Sequence, residues 1–79
     1  MQYIVGHNDT GFGPDVQPLA VGGLDLARQV LANEVAKWFA PELDGEELTV
    51  ADLRAFTARV KELRQGSTLV LRGHAFWIQ

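Results

Sequence analysis

The segment at residues 67–79, STLVLRGHAFWIQ, constrains the fold of this chain more than any other. Two runs rich in β-branched, aromatic and large aliphatic residues flank Arg72-Gly73, the signature of a tight two-residue hairpin. A loop of that length sets the register. Leu71 pairs with His74, Val70 with Ala75, and Leu69 with Phe76. Because strand side chains alternate between faces, Leu69, Leu71, Phe76 and Ile78 share one face and Thr68, Val70, Ala75 and Trp77 share the other. Both faces are apolar. One face has helices to pack against. The other carries Val70 and Trp77, which need a cover or a partner.

Upstream, residues 2–5 (QYIV) favour a strand that stops at Gly6. Residues 7–15, HNDTGFGPD, have the composition of a loop. Residues 16–21 read as an edge strand or an irregular segment, because Pro18 cannot donate to a ladder.

The middle of the chain reads as helical. Asp25 is placed to cap a helix whose apolar stripe is Ala27, Leu31, Val35 and Trp38, extended by Leu24 and flanked by Val30 and Phe39. Gln29, Asn33 and Lys37 take the opposite side, and Pro41 is the expected stop. After a connector over 42–48, Thr49 opens a second helix, with Asp52 at the capping-box spacing. Its buried face is Val50, Leu53, Phe56, Val60 and Leu63, and Gly66 suits the residue after its C-terminus. The order β-β-α-α-β-β predicts an α+β fold in a single domain over residues 1–79. A small antiparallel sheet of three to four strands carries two helices on one face, and the first strand pairs with the C-terminal hairpin.

Composition narrows the function. The chain has no Cys, so it has no disulfide, thiolate metal site or thiol nucleophile. A net charge of −3 argues against direct binding to nucleic acid or to an anionic membrane. No apolar run reaches the roughly 20 residues of a membrane span. The N-terminal residues lack the pattern of a signal peptide, and the expected compartment is the cytoplasm of the producing cell or of a host cell.

No motif for an enzyme survives inspection. In the loop from Gly6 to Gly13, Phe12 follows Gly11 where a phosphate-binding loop requires Lys, and Pro14 follows where a dinucleotide fingerprint opens a helix. Ser67 or Thr10 with His7 or His74 lacks the spacing of a hydrolase triad. His7, Asp9 and His74 converge if the first strand lies beside the hairpin, which leaves a minor metal-binding or enzymatic alternative. The principal expectation is a protein that is not an enzyme and uses no cofactor and no metal.

Charge points to a partner. Glu42, Asp44, Glu46, Glu47 and Asp52 form an acidic run with no basic residue inside it, suited to docking on a basic surface. The basic residues Arg54, Arg59, Lys61 and Arg64 follow on the next helix. Tyr3, Val70 and Trp77 are the interface candidates, for a homodimer or another protein. The alternative for Trp77 is cover by the 7–20 loop, through Phe12 and Pro14.

Two segments carry a resemblance. Tyr3-Ile4-Val5-Gly6-His7-Asn8 and Phe76-Trp77-Ile78 are similar to the ends of short proteins from phages and mobile elements of high-GC bacteria. In size, acidity and αβ make-up the chain resembles anti-CRISPR proteins that inhibit type I Cascade complexes. The resemblance implies a stoichiometric inhibitor that occupies a Cascade subunit and blocks target DNA. The acidic residues at 42–52 would then meet a basic DNA-binding channel in place of phosphates. The alternative is a homodimeric accessory protein of a phage or mobile element.

Overall fold

The structure, a computed structural model, describes residues 2–14 and 17–79. The elements run β1 (Tyr3–Asp9), β2 (Leu19–Val21), α1 (Leu24–Asp44), α2 (Val50–Val60), β3 (Thr68–Leu71) and β4 (His74–Ile78). The strands form one antiparallel sheet in the order β2-β1-β4-β3, so the first strand does lie beside the hairpin. The fold is α+β with the expected element order. Among the described residues, no helix is long and apolar enough to cross a membrane.

The hairpin has the expected register, Leu71 against His74 through Thr68 against Trp77. Arg72 and Gly73 both take positive φ, 51° and 82°, the backbone handedness that matches the twist of the flanking strands. α1 packs over β1, β2 and β4, and α2 lies over β3. Between helices and sheet the core gathers Val5, Leu31, Val35, Phe39, Val60, Leu71, Phe76 and Ile78, all buried.

Several local expectations are corrected. β1 does not stop at Gly6 but continues to Asp9. Each residue from Gly6 to Asp9 finds a partner on β4, and the ladder outweighs the turn propensity of Asn8 and Asp9. The second strand is shorter than expected, beginning after Pro18; of the 16–21 segment, Val16 lies outside the described residues.

α1 starts one residue before Asp25, with Gly23 at the cap position and no side-chain cap. Asp25 lies in the first turn, 3.8 Å from Arg28. Pro41 falls inside α1 and does not end it. The proline removes one hydrogen bond toward Lys37, on a turn where Lys37 and Ala40 are exposed and water can substitute. The helix instead closes where the Gly45 N–H bonds the Pro41 carbonyl at 2.9 Å.

The buried stripe of α1 is Ala27, Leu31, Val35 and Phe39. Trp38, expected in that stripe, is 38% exposed. Each step of four overshoots the 3.6-residue turn by about 40°, so the buried line drifts along α1 to Phe39, while Trp38 leaves it to stack on His74. In α2, Val50 is 55% exposed, while Leu53 and Phe56 pack on the core and Val60 is buried. Gly66 has the expected positive φ, 86°, but α2 has ended at Val60. Gly66 instead turns the chain into β3, its N–H bonding the Ile78 carbonyl at 2.7 Å.

The cap of α2 is as expected. Thr49 Oγ1 accepts from the Asp52 N–H at 3.1 Å, and Asp52 Oδ2 accepts from the Thr49 N–H at 3.0 Å. The Thr49 N–H, the Thr49 side chain and then the Arg72 charge hold the Asp52 carboxyl below its ordinary value of 3.8. A carboxyl lowered on folding stabilises the fold above its unfolded value, and that contribution is lost as pH falls through the lower folded value. Asp52→Asn keeps an acceptor but cannot titrate. Thermal unfolding followed from neutral pH to below pH 3.8 should show the variant's deficit shrinking at the acid end.

Candidate functional site

The alternation of β1 sends Val5, His7 and Asp9 toward the helices, and that of β4 sends His74, Phe76 and Ile78 the same way. His74 stands opposite Asp9 and one diagonal step from His7. Its Nδ1 lies 2.8 Å from Asp9 Oδ1, and its Nε2 lies 2.8 Å from His7 Nδ1. The chain continues from His7 Nε2 to Glu34 Oε2 at 3.4 Å, and from Glu34 Oε1 to Lys37 Nζ at 3.6 Å.

Aromatic rings hold this chain in place. Trp38 stacks on His74 with ring centres 3.8 Å apart and planes 22° apart, and Phe76 stacks on His7 at 5.5 Å. His74 is 3% exposed, the one buried polar residue among those described.

Two hydrogen bonds join Asp9, His74 and His7, and Glu34 lies beyond them at 3.4 Å from His7.

The grouping of His7, Asp9 and His74 suggested by the sequence is thus present, as a hydrogen-bonded chain. The facing nitrogens point at each other and not at a common centre. Among the described residues, no group of three His, Asp or Glu side chains is arranged to hold a metal ion.

His7 and Glu34 reach a cleft of about 240 Å³ whose other walls include Val5, Leu19, Val30 and Leu31. That is below the roughly 300–1,000 Å³ of most small-molecule sites. The Thr10 hydroxyl is engaged with the Gly73 carbonyl. The arrangement ties β1, β4 and α1 together.

The opposite face of the sheet is open. Ile4, Gly6 and Asn8 of β1, Ala20 of β2, Ala75 and Trp77 of β4, and Thr68 and Val70 of β3 point there by register. None is charged, and Val70 is 48% exposed. Trp77 is half-buried, and its indole lies against Gly6, the ring Nε1 donating to Asn8 Oδ1 at 2.7 Å. The sheet itself shields the ring. Phe12, the expected cover, is 74% exposed. Tyr3, an expected interface residue, stands opposite Val21 on the helix side and packs against the core. The parity of β1 places it there.

The acidic run divides. Glu42 is half-buried with Oε2 sealed off and unpartnered, and Asp52 is engaged in the cap. Asp44, Glu46 and Glu47 stand exposed on the turn between helices. Arg72 reaches this turn, its Nη1 lying 3.4 Å from the Glu47 carbonyl.

Glu34 was not singled out from the sequence, and Trp38 was read there only as part of the apolar stripe. Their spacing of four residues on a helix put them on one face, but nothing in the chain showed that the face met two histidines. Comparisons with family models, with curated proteins and with solved structures find no match to this chain.

Proposed function

We propose that this protein acts by stoichiometric binding to another protein, without catalysis. The observation that carries this reading is the open sheet face. A half-solvated antiparallel sheet ordinarily alternates apolar inward with polar outward. Here the outward face carries exposed Ala20 and Val70 and half-buried Ile4 and Trp77 with no charge among them. Exposed apolar patches of this kind mark protein contacts, and tryptophan is prominent among residues that dominate binding energy.

The resemblance to anti-CRISPR proteins supplies the partner: a subunit of a type I Cascade complex in the bacterial cytoplasm. In that complex Asp44, Glu46 and Glu47 would meet the basic channel that otherwise takes DNA phosphates, with Glu42 and Asp52 behind them. A modest overall charge makes the apolar face as important as the acidic turn.

The test is a gel-shift experiment with a guide-loaded type I Cascade and its target duplex. Adding the protein should abolish the DNA shift near one equivalent. Val70→Asp and the triple reversal Asp44→Lys, Glu46→Lys and Glu47→Lys should each weaken inhibition at least tenfold. DNA binding unaffected by excess protein would remove Cascade as the partner. Inhibition untouched by both sets of variants would remove these two surfaces.

A further inference from the structure

The edge of the sheet carries an inference independent of that reading. β3 is the last strand in the order β2-β1-β4-β3. The Ile78 N–H bonds the Ser67 carbonyl at 3.1 Å, and in an antiparallel ladder alternate residues turn their backbone groups to the same neighbour. Leu69 and Leu71 therefore face β4. Thr68 and Val70 turn their N–H and C=O groups to the free edge, where no hydrogen bond from the described residues reaches them. Both residues are exposed.

Sheet edges left to solvent are usually blunted by charge, proline or a bulge. The other edge conforms, since β2 has three residues and follows directly on Pro18. β3 reads Thr-Leu-Val-Leu and carries no charge or proline; its one such device is the bulge just before it, where Gly66 and Ser67 both oppose Ile78, and Thr68 to Leu71 beyond that bulge are flat and uncharged.

We propose that two copies of this chain pair antiparallel along β3, about a two-fold axis normal to the sheet at Val70. Val70 of each copy then exchanges both backbone hydrogen bonds with Val70 of the other, and Thr68 lies beside the second copy's Arg72 backbone. The occupant is a second copy because of charge. α2 lies over β3, and any helix in the plane of the sheet is reversed by that axis. The exposed Glu46, Glu47 and Asp52 gather at the start of α2, against Arg54 there, and the exposed Arg59, Lys61 and Arg64 at and just beyond its end, against Glu62, so the start is net acidic and the end net basic. Antiparallel apposition sets the acidic end of each α2 toward the basic end of the other, twice. Such an isologous contact is self-complementary and closed. It also places the two open sheet faces side by side.

Analytical ultracentrifugation of the purified full chain over a dilution series tests this. The wild type should dissociate from dimer to monomer on dilution, and more readily as salt is raised, because the helix-end charges are screened. Val70→Pro removes the N–H that faces the free edge, which an edge strand tolerates. Val70→Lys keeps the backbone and sets like charges across the axis. Each should raise the dimer dissociation constant at least tenfold with circular dichroism unchanged. A wild type that stays monomeric at its highest soluble concentration would overturn the proposal. So would a Val70→Lys variant that is folded and dimerises as well as the wild type. Either result leaves Cascade binding to its own test.

Discussion

His74→Ala is expected to cost about 3 kcal/mol, the sum expected when a buried ring is emptied and its hydrogen-bond partners are stranded. A 79-residue domain has roughly 4–12 kcal/mol in total, so the variant should lose a quarter or more of its stability. The size of the effect follows from position. His74 is buried under Trp38 and bonded on both nitrogens, to Asp9 and to His7. Removing the ring opens a cavity between α1 and β4 and leaves His7 Nδ1 without a partner in a half-buried site.

Urea denaturation monitored by circular dichroism measures the loss, and two companion variants separate its causes. His74→Phe preserves the stack on Trp38 but breaks both hydrogen bonds, so it should fall between wild type and alanine. Asp9 is more than half exposed and water can take its bond, which limits that cost. His7→Gln lies nearer the surface and keeps a polar group, so a loss of about 1 kcal/mol is expected. A His74→Ala variant within 1 kcal/mol of wild type would mean that the histidine chain does not hold the sheet to α1.

Which of these features could be read beforehand depended on whether the cause was local. The hairpin was legible because Arg72-Gly73 fixes both the loop length and the register, and every pairing along β3 and β4 follows from it. The capping box of Thr49 and Asp52 was legible for the same reason, being complete within four residues. The length of β1 was not. Asn8 and Asp9 are turn formers by themselves and become strand residues only because β4 offers them partners sixty-odd positions away. The course of α1 through Pro41 was hidden likewise, because the cost of a proline depends on whether the carbonyl it orphans faces water or core. The candidate site was half legible. His7, Asp9 and His74 could be brought together by pairing the first strand with the hairpin, but Glu34 and Trp38 complete the chain from a helix whose rotation only the packed core decides. Tyr3 was misplaced by the same ignorance of face, since period-two alternation gives two faces without saying which is covered.

Gly6→Val is the second substitution expected to have a large effect, and its sign runs against strand propensity. Valine is among the best strand formers and glycine among the worst, so composition alone would forecast a gain. The structure forecasts a loss. A Cβ at Gly6 would lie 2.5 Å from Cζ2 of Trp77 and 2.6 Å from Cη2, well inside van der Waals contact. The indole lies against a strand position that has no side chain, a pairing in which the aromatic ring shields the glycine backbone. A branched side chain there must push the ring off the sheet and break its hydrogen bond to Asn8. Overpacking of this kind costs about 1–3 kcal/mol, and the lost indole contact places Gly6→Val at the upper end. The displaced ring should also redden in emission, read in a Trp38→Phe background so that Trp77 is the sole reporter. A double-mutant cycle isolates the cause, because contacting residues are not additive. With Trp77→Ala already in place, Gly6→Val should cost far less than it does alone, and valine's strand preference can then turn the change favourable. An equal cost in both backgrounds would show that the indole is not what excludes a side chain at Gly6, and with it would fall the view that Trp77 lies flat on the open face as a preformed part of the binding surface.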